Sequence, residues 1–245
     1  LLNHAAKFGP MSDGRAQASL VIRAPMGGGR GYGPTHSQSL EKHFLGIPGV
    51  KVVAPSLAHQ PGQLLRQAGN DADPVLFIEH KLLYPRELFE PDNLPPPLVM
   101  EAATGEYPMA RLSNFQGGSP DVVLALYGGG SLFLKELLLE MAAEEIRLTC
   151  LAPSLLNGVP MDAVAETASQ AAYGVVVFEE GAAGFDWGAE IVAELCRRGL
   201  GRRMPMRRVA ARPTIIPAAR PLEQGVLPGL PQARDAIFSL LEQSS

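Results

Sequence analysis

Cysteine is scarce in this chain of 245 residues, where Cys150 and Cys196 are the only thiols. Two isolated cysteines make neither a disulfide framework nor the paired ligands of a zinc site, so a reducing interior is the expected setting. Both lie in apolar stretches, one strand-like and one helix-like, and read as small core residues. Basic charge is not in excess either: 21 Lys and Arg against 25 Asp and Glu give a formal net charge of -4. That sign argues against a phosphate-backbone partner, so no nucleic acid is expected. No apolar run reaches the roughly 20 residues of a membrane-spanning helix, and nothing at the start resembles a signal peptide. A membrane partner is therefore not expected. Disorder would need less than the 46% hydrophobic content found here. Arginine does crowd one stretch (Arg197, Arg198, Arg202, Arg203, Arg207, Arg208 and Arg212), which reads as a solvated helix end and loop. The chain opens LLNHAAKF, without an initiator Met and already helix-like, and so reads as a fragment. The expected location is cytoplasmic, or the mitochondrial matrix or a plastid if a targeting segment was lost.

What is present is alternation. Ser19 to Arg23 reads as a buried strand, ended by the turn-rich APMGGGRGYGP. A helix-like QSLEKHFL follows, then a strand from Lys51 to Pro55. Pro61 suits the first turn of a helix, and Val75 to Glu79 makes a third strand. Near-continuous apolar strands separated by helices predict a parallel sheet covered on both faces. The proline-rich EPDNLPPPLV cannot continue a sheet interior. Alternation resumes with DVVLALY, a helix from about Ser131 to Glu145, RLTCLA, a helix near Met161 to Gln170, and GVVVFEE. The helix WGAEIVAELCRRG, the strand MRRVA and an amphipathic DAIFSLLEQ complete the chain. The expectation is an α/β fold of two parallel-sheet domains, at 1–90 and 121–245, joined by a linker at 91–120.

Candidate sites follow from chemistry and position. Gly27 to Gly33 lacks the Gly-Lys-Ser/Thr ending of a phosphate loop, so its glycines more plausibly let backbone pass close to a ligand or neighbouring subunit. Gly128, Gly129 and Gly130 lie between a strand and a helix, but tight packing explains them as well as anion binding does. Glu179 and Glu180 follow a strand, at the carboxyl edge where open α/β sheets place ligands. Neighbours on an extended chain point in opposite directions, which favours capping or a subunit contact over a catalytic pair. His36, in P-T-H-S-Q-S after the glycine loop, can exchange protons near neutral pH; position alone favours a surface-loop histidine. His4, His43, His59 and His80 offer no metal-like cluster.

Several strings together carry a resemblance. NHAAKFGPMSDG, VIRAPMGGG…GPTHSQSLEKHFLGIPGVKVVAPS and NDADPVLFIEHKLLY are similar to the beta subunits of thiamine-diphosphate-dependent 2-oxo acid dehydrogenases. GVVVFEEG and GAEIVAEL resemble the carboxyl-terminal domain shared with transketolase-like enzymes. The resemblance implies a partial transketolase-like pyrimidine-binding domain followed by a transketolase C-terminal-like domain. It further implies thiamine diphosphate shared with an alpha subunit that holds magnesium, a heterotetramer with a second beta subunit, and transfer to a lipoyl-bearing acyltransferase. His36 would be catalytic and face the channel. Backbone carbonyls of Ala68, Asp71 and Asp73 would hold a monovalent cation, with potassium the candidate. The family's catalytic glutamate lies upstream of anything matching Leu1, and the usual Asp-Ala-Lys-Gly helix start is replaced by His59, Gln60, Pro61 and Gly62. A noncatalytic truncated homologue serving as a subunit-assembly module is the alternative. Pyruvate, branched-chain 2-oxo acids and acetoin all remain open as substrates.

Overall fold

The computed structural model describes residues 1–101 and 104–243. Its first sheet is ordered by how apolar each strand is. Val75–His80 (β3), buried at all but one position, lies in the centre. Val21–Met26 (β1) and Lys51–Val53 (β2) pair with it in parallel on either side. The expectation that the first strand is buried fails. It begins at Val21, and Leu20 and Ile22 are both 36% exposed, because β1 is an edge strand. Pro25, which has no amide to donate, is tolerated there for the same reason.

A short helix, Phe8–Met11 (α1), precedes this sheet. The helix expected from QSLEKHFL is a single turn, Lys42–Leu45 (α2). Pro61–Asn70 (α3) starts at its proline and lays Leu64 and Ala68 on Val75 and Phe77 of β3.

The second sheet has six strands: Val99–Glu101 (β4), Met109–Ser113 (β5), Val122–Leu126 (β6), Leu148–Pro153 (β7), Gly174–Ala182 (β8) and Met206–Ala211 (β9). Their order is β4-β5-β7-β6-β8-β9, parallel from β7 to β9 and antiparallel at β4 and β5. The stretch expected as a linker therefore supplies two strands, and the second sheet is parallel-dominated, not purely parallel. β5 alternates strictly, with Ala110 and Leu112 turned inward, the pattern of an antiparallel strand covered on one face. Proline on both sides concealed that short signal. Residues 102–103 of the expected linker and 244–245 of the expected second domain lie outside the described residues.

Side-chain alternation along the strands sorts the helices onto two faces. Leu134–Ala143 (α4) follows a 3-10 turn at Gly128–Leu132, and it covers one face with the last helix of the chain. Met161–Ser169 (α5) and Trp187–Arg197 (α6) cover the other. Arg220–Gln224 (α7) is a short helix before that last one, Leu230–Glu242 (α8). Leu134, Leu137 and Leu138 of α4 are fully buried, each worth about 1.5–3 kcal/mol of transfer free energy. Cys150 is a core residue as expected, but Cys196 is exposed; the helical turn directs its neighbour Leu195 inward instead.

The two sheets share one core. Val52, Ala54, Leu76 and Ile78 of the first pack with Val123, Leu151 and Val177 of the second and with Trp187 of α6. Backbone bonds reinforce this joint: the Ala54 amide donates to Ser154 O at 2.8 Å, and the Leu156 amide to Val52 O at 2.8 Å. Asn157 acts as a further length of strand, its carboxamide accepting from the Val52 amide and donating to Val50 O.

His59 ties the α3 approach to the stretch before β5. Its Nδ1 accepts from the Ser56 amide and lies 2.8 Å from the Ser56 hydroxyl, while Nε2 faces Pro108 O at 3.2 Å. Burial lowers its pKa from 6.5 to about 4. The unfolded chain therefore takes up a proton at a pH where the folded chain does not, and stability falls with pH through this window. The stability advantage of the native chain over His59→Asn should shrink by about 1.4 kcal/mol per pH unit below 6.5, down to about 4. Urea unfolding of both proteins at several pH values checks this.

Candidate functional site

β6 and β8 are neighbours in the sheet, and the helices that follow them cover opposite faces. Open α/β sheets leave their ligand crevice beyond the carboxyl ends of two such strands. Here the chain fills that crevice itself. The His80 ring lies against Gly27 and Gly129 so closely that a Cβ on either would sit 2.1 or 2.4 Å from it. Gly27 also has φ +91°, a conformation open to glycine and strained for other residues. Tight packing, not an anion, thus accounts for Gly129.

Glu180 is the centre of this contact. Its Oε1 accepts from the Gly28 amide at 2.7 Å and from the Ser39 hydroxyl at 3.2 Å, and its Oε2 accepts from His80 Nε2 at 2.7 Å. His80 Nδ1 accepts the Leu82 amide at 3.3 Å, so the proton donated to Glu180 is on Nε2. Burial alone would raise the Glu180 pKa, but His80, the Gly28 amide and the Ser39 hydroxyl outweigh it and hold the carboxyl below its ordinary range. A second carboxylate grips the same loop, since Glu223 Oε2 accepts from the Gly31 amide at 2.8 Å.

Glu179 diverges from Glu180 as the extended backbone requires. Its Oε1 accepts the Gly188 amide in the first turn of α6 at 2.8 Å, so it serves as a cap. Nearby, the buried Tyr127 hydroxyl donates to the buried Glu41, whose pKa burial pushes up. Trp187 meets the Tyr127 ring edge-on at 5.0 Å.

His36 lies outside this buried cluster. Its side chain is exposed and meets no partner among the described residues. Its backbone is held, however: the His36 and Ser37 amides both donate to Gly33 O, and Lys81 Nζ donates to His36 O. Lys81 and Arg30 both lie over the half-exposed Tyr32 ring, at 5.9 and 4.6 Å from its centre. A cleft of about 230 Å³ opens by His80, lined by Ser56, Phe77 and Tyr84 among others.

Ala68, Asp71 and Asp73 fall together in the turn before β3. The Ala68 carbonyl accepts the Asp71 amide at 3.3 Å, and the Asp71 carbonyl accepts the Ser19 hydroxyl at 2.6 Å. The Asp71 carboxylate receives Lys51 Nζ at 2.7 Å and the Tyr107 hydroxyl at 2.9 Å. Among the described residues, no group of three or more His, Cys, Asp or Glu could hold a metal ion, and no helix is long and apolar enough to cross a membrane.

Sequence reasoning missed His80, Glu41, Tyr127 and Glu223. The available signal was polarity at a strand's carboxyl end: His80 closes VLFIEH as Glu179 and Glu180 follow VVVF. Glu41 and Glu223 sit in stretches that gave no such signal.

Residues 2–87 match the pyrimidine-binding domain of transketolase. The beta subunit of acetoin:2,6-dichlorophenolindophenol oxidoreductase from Cupriavidus necator is 32% identical over 95% of this chain. Nearly the whole chain is thus similar to a beta subunit with a transketolase-like pyrimidine-binding domain. A mitochondrial pyruvate dehydrogenase E1 component subunit beta from Saccharomyces cerevisiae is 29% identical over 98% of the chain. The chain spans 65% and 64% of the lengths of these two relatives, slightly less than two thirds. A solved structure described as a split gene transketolase, inactive beta4 tetramer, shares the fold, with a TM-score of 0.62 at 17% identity, covering 91% of this chain and 66% of that one.

Burial and the neighbouring Asp186 raise Glu179 to about 8. The folded state then holds a proton that the unfolded chain has released, so the contribution of Glu179 to stability is greatest below the ordinary carboxyl pKa of 4.5 and falls as pH rises to about 8. Glu179→Gln keeps an acceptor for the Gly188 amide but does not titrate. Its stability relative to the native chain should improve with pH, by at most about 1.4 kcal/mol per unit, and level off above about 8. Chemical denaturation between pH 5 and pH 9 tests the sign.

Proposed function

We propose that this chain acts as the beta subunit of a 2-oxo acid dehydrogenase, working with an alpha subunit to decarboxylate a 2-oxo acid and acylate lipoyl. The supporting observation is the state of His36: an exposed imidazole without a partner among the described residues, on a backbone held at Gly33 and Lys81 and anchored to the second sheet. Holding the backbone while leaving the side chain free suits a group that must meet something outside this chain.

The residues present fit thiamine diphosphate as a shared ligand: exposed His36 and Tyr32, joined through Lys81, offer an open polar and aromatic face that a partner could cover. When bound, thiamine diphosphate supplies the carbanion chemistry. The work left to this chain is orientation and proton transfer, with His36 giving or taking a proton at its imidazole. Magnesium would lie on the alpha subunit, and a second beta subunit and a lipoyl-bearing acyltransferase would complete the set of partners. In the assembled component, His36→Ala should leave thiamine diphosphate affinity unchanged and slow lipoyl acylation by about a hundred- to ten-thousand-fold. Cofactor titration and single-turnover acylation measure the two effects, and unchanged acylation removes His36 from the chemistry.

The turn at Ala68, Asp71 and Asp73 is proposed as a monovalent-cation site. A carbonyl oxygen has two lone pairs, so those of Ala68 and Asp71 keep a position beyond the hydrogen bond each accepts. The Lys51 ammonium beside them supplies competing positive charge. Potassium should raise the melting temperature above that in choline at equal ionic strength; identical melting in both salts counts against the site.

A further inference from the structure

We propose that Glu180 is the positioning residue for His36: a carboxylate of the second sheet that sets the conformation of the glycine loop in the first. Its catalytic consequence rests on the reading of His36 above, whereas its effect on the loop does not. Three donors converge on it, from Gly28, Ser39 and His80. Gly28 and Ser39 bracket His36 in the chain, and the Gly27 amide closes the loop onto Gln38 O at 3.3 Å. The segment from Gly27 to Ser39 is thus a closed loop with both ends on one carboxylate. The side chain is only 16% exposed, so water does not readily replace these partners.

Chemistry restricts what can stand at this position. An ionised carboxylate accepts at every lone pair, which suits three incoming donors. Glutamine is isosteric but carries a donor group, so one of the three would face a second donor. His80 cannot relieve the conflict by moving its proton, because Nδ1 already accepts the Leu82 amide. Room is also lacking for rearrangement, since a Cβ at Gly28 would lie 2.2 Å from Leu227 and 2.9 Å from Ser37 O. Glu223 holds Gly31 and, though close to Gly28, accepts no hydrogen bond there with its other oxygen, which leaves Glu180 as the carboxylate bonded to both ends of the loop.

Amide hydrogen exchange on the full chain tests the loop directly. Glu180→Gln should accelerate exchange at Gly28, His36 and Ser37 together, by roughly ten- to a hundredfold, while the Val75–Ile78 amides of β3 keep their protection. Ser39→Ala removes one donor and spares the carboxylate. It provides the result if Glu180→Gln does not fold, and should accelerate the same amides by about two- to tenfold. Acceleration at Gly28 alone would overturn the proposal, and so would equal acceleration throughout β3, which marks a general stability role.

Lipoyl acylation in the assembled component then tests the consequence. Glu180→Gln should slow acylation without weakening thiamine diphosphate binding, and should slow it far less when His36 is already alanine. An undiminished effect in the His36→Ala background would mean that Glu180 acts by another route, and would also overturn the proposal. If His36→Ala alone leaves acylation unchanged, the catalytic reading of His36 fails, while the exchange result still decides whether Glu180 sets the loop.

Discussion

Three hydrogen-bond donors from one sheet unit and a single acceptor-only carboxylate from the other set the geometry on which the rest of this protein depends. Glu180 can take the Gly28 amide, the Ser39 hydroxyl and His80 at once only if the backbone at Gly27 and Gly28 comes nearer than any side chain would allow. The glycines are therefore consequences of the joint, and the joint in turn determines where His36 emerges. Filling the crevice beyond β6 and β8 from within also leaves His36 exposed, outside the buried cluster.

The joint is built from two materials with different roles. Apolar residues such as Val52, Leu76, Val177 and Trp187 supply non-directional burial, which favours contact but tolerates sliding. The carboxylates supply direction. Enclosing Glu41, Glu179 and Glu180 in one region carries a desolvation penalty, and the three meet it differently. Glu180 stays ionised because donors surround it. Glu179 and Glu41 are pushed toward their protonated forms by burial. Titration of Glu179 and of His59 acts on stability in opposite senses, so the two contributions partly cancel where their windows overlap, between 4.5 and 6.5.

Much of the architecture was legible from periodicity alone. Fully apolar strands announced the parallel core, and Pro61 marked the start of α3. Where the reading failed, a local signal was outvoted by position. Ser19 to Arg23 looks like a buried strand, but a strand at a sheet edge is half exposed whatever its composition. β5 was hidden by flanking proline, and Cys196 was turned outward because the helical period points Ile191 and Leu195 at the core instead. Of the site, the divergence of Glu179 from Glu180 could be read; the convergence on Glu180 could not.

Sequence by itself determined the alternation of strands and helices, the strings that carry the family resemblance, and the opposed directions of Glu179 and Glu180. These are local properties, set by backbone period and by residue order. Only the tertiary structure decided that His80, seemingly an unremarkable strand-end histidine, lies against Gly129, and that a carboxylate 152 positions beyond Gly28 receives its amide. The reason is physical: a hydrogen bond between distant residues depends on how two sheets pack, and packing is fixed by the sum of many side chains, not by the residues that happen to meet.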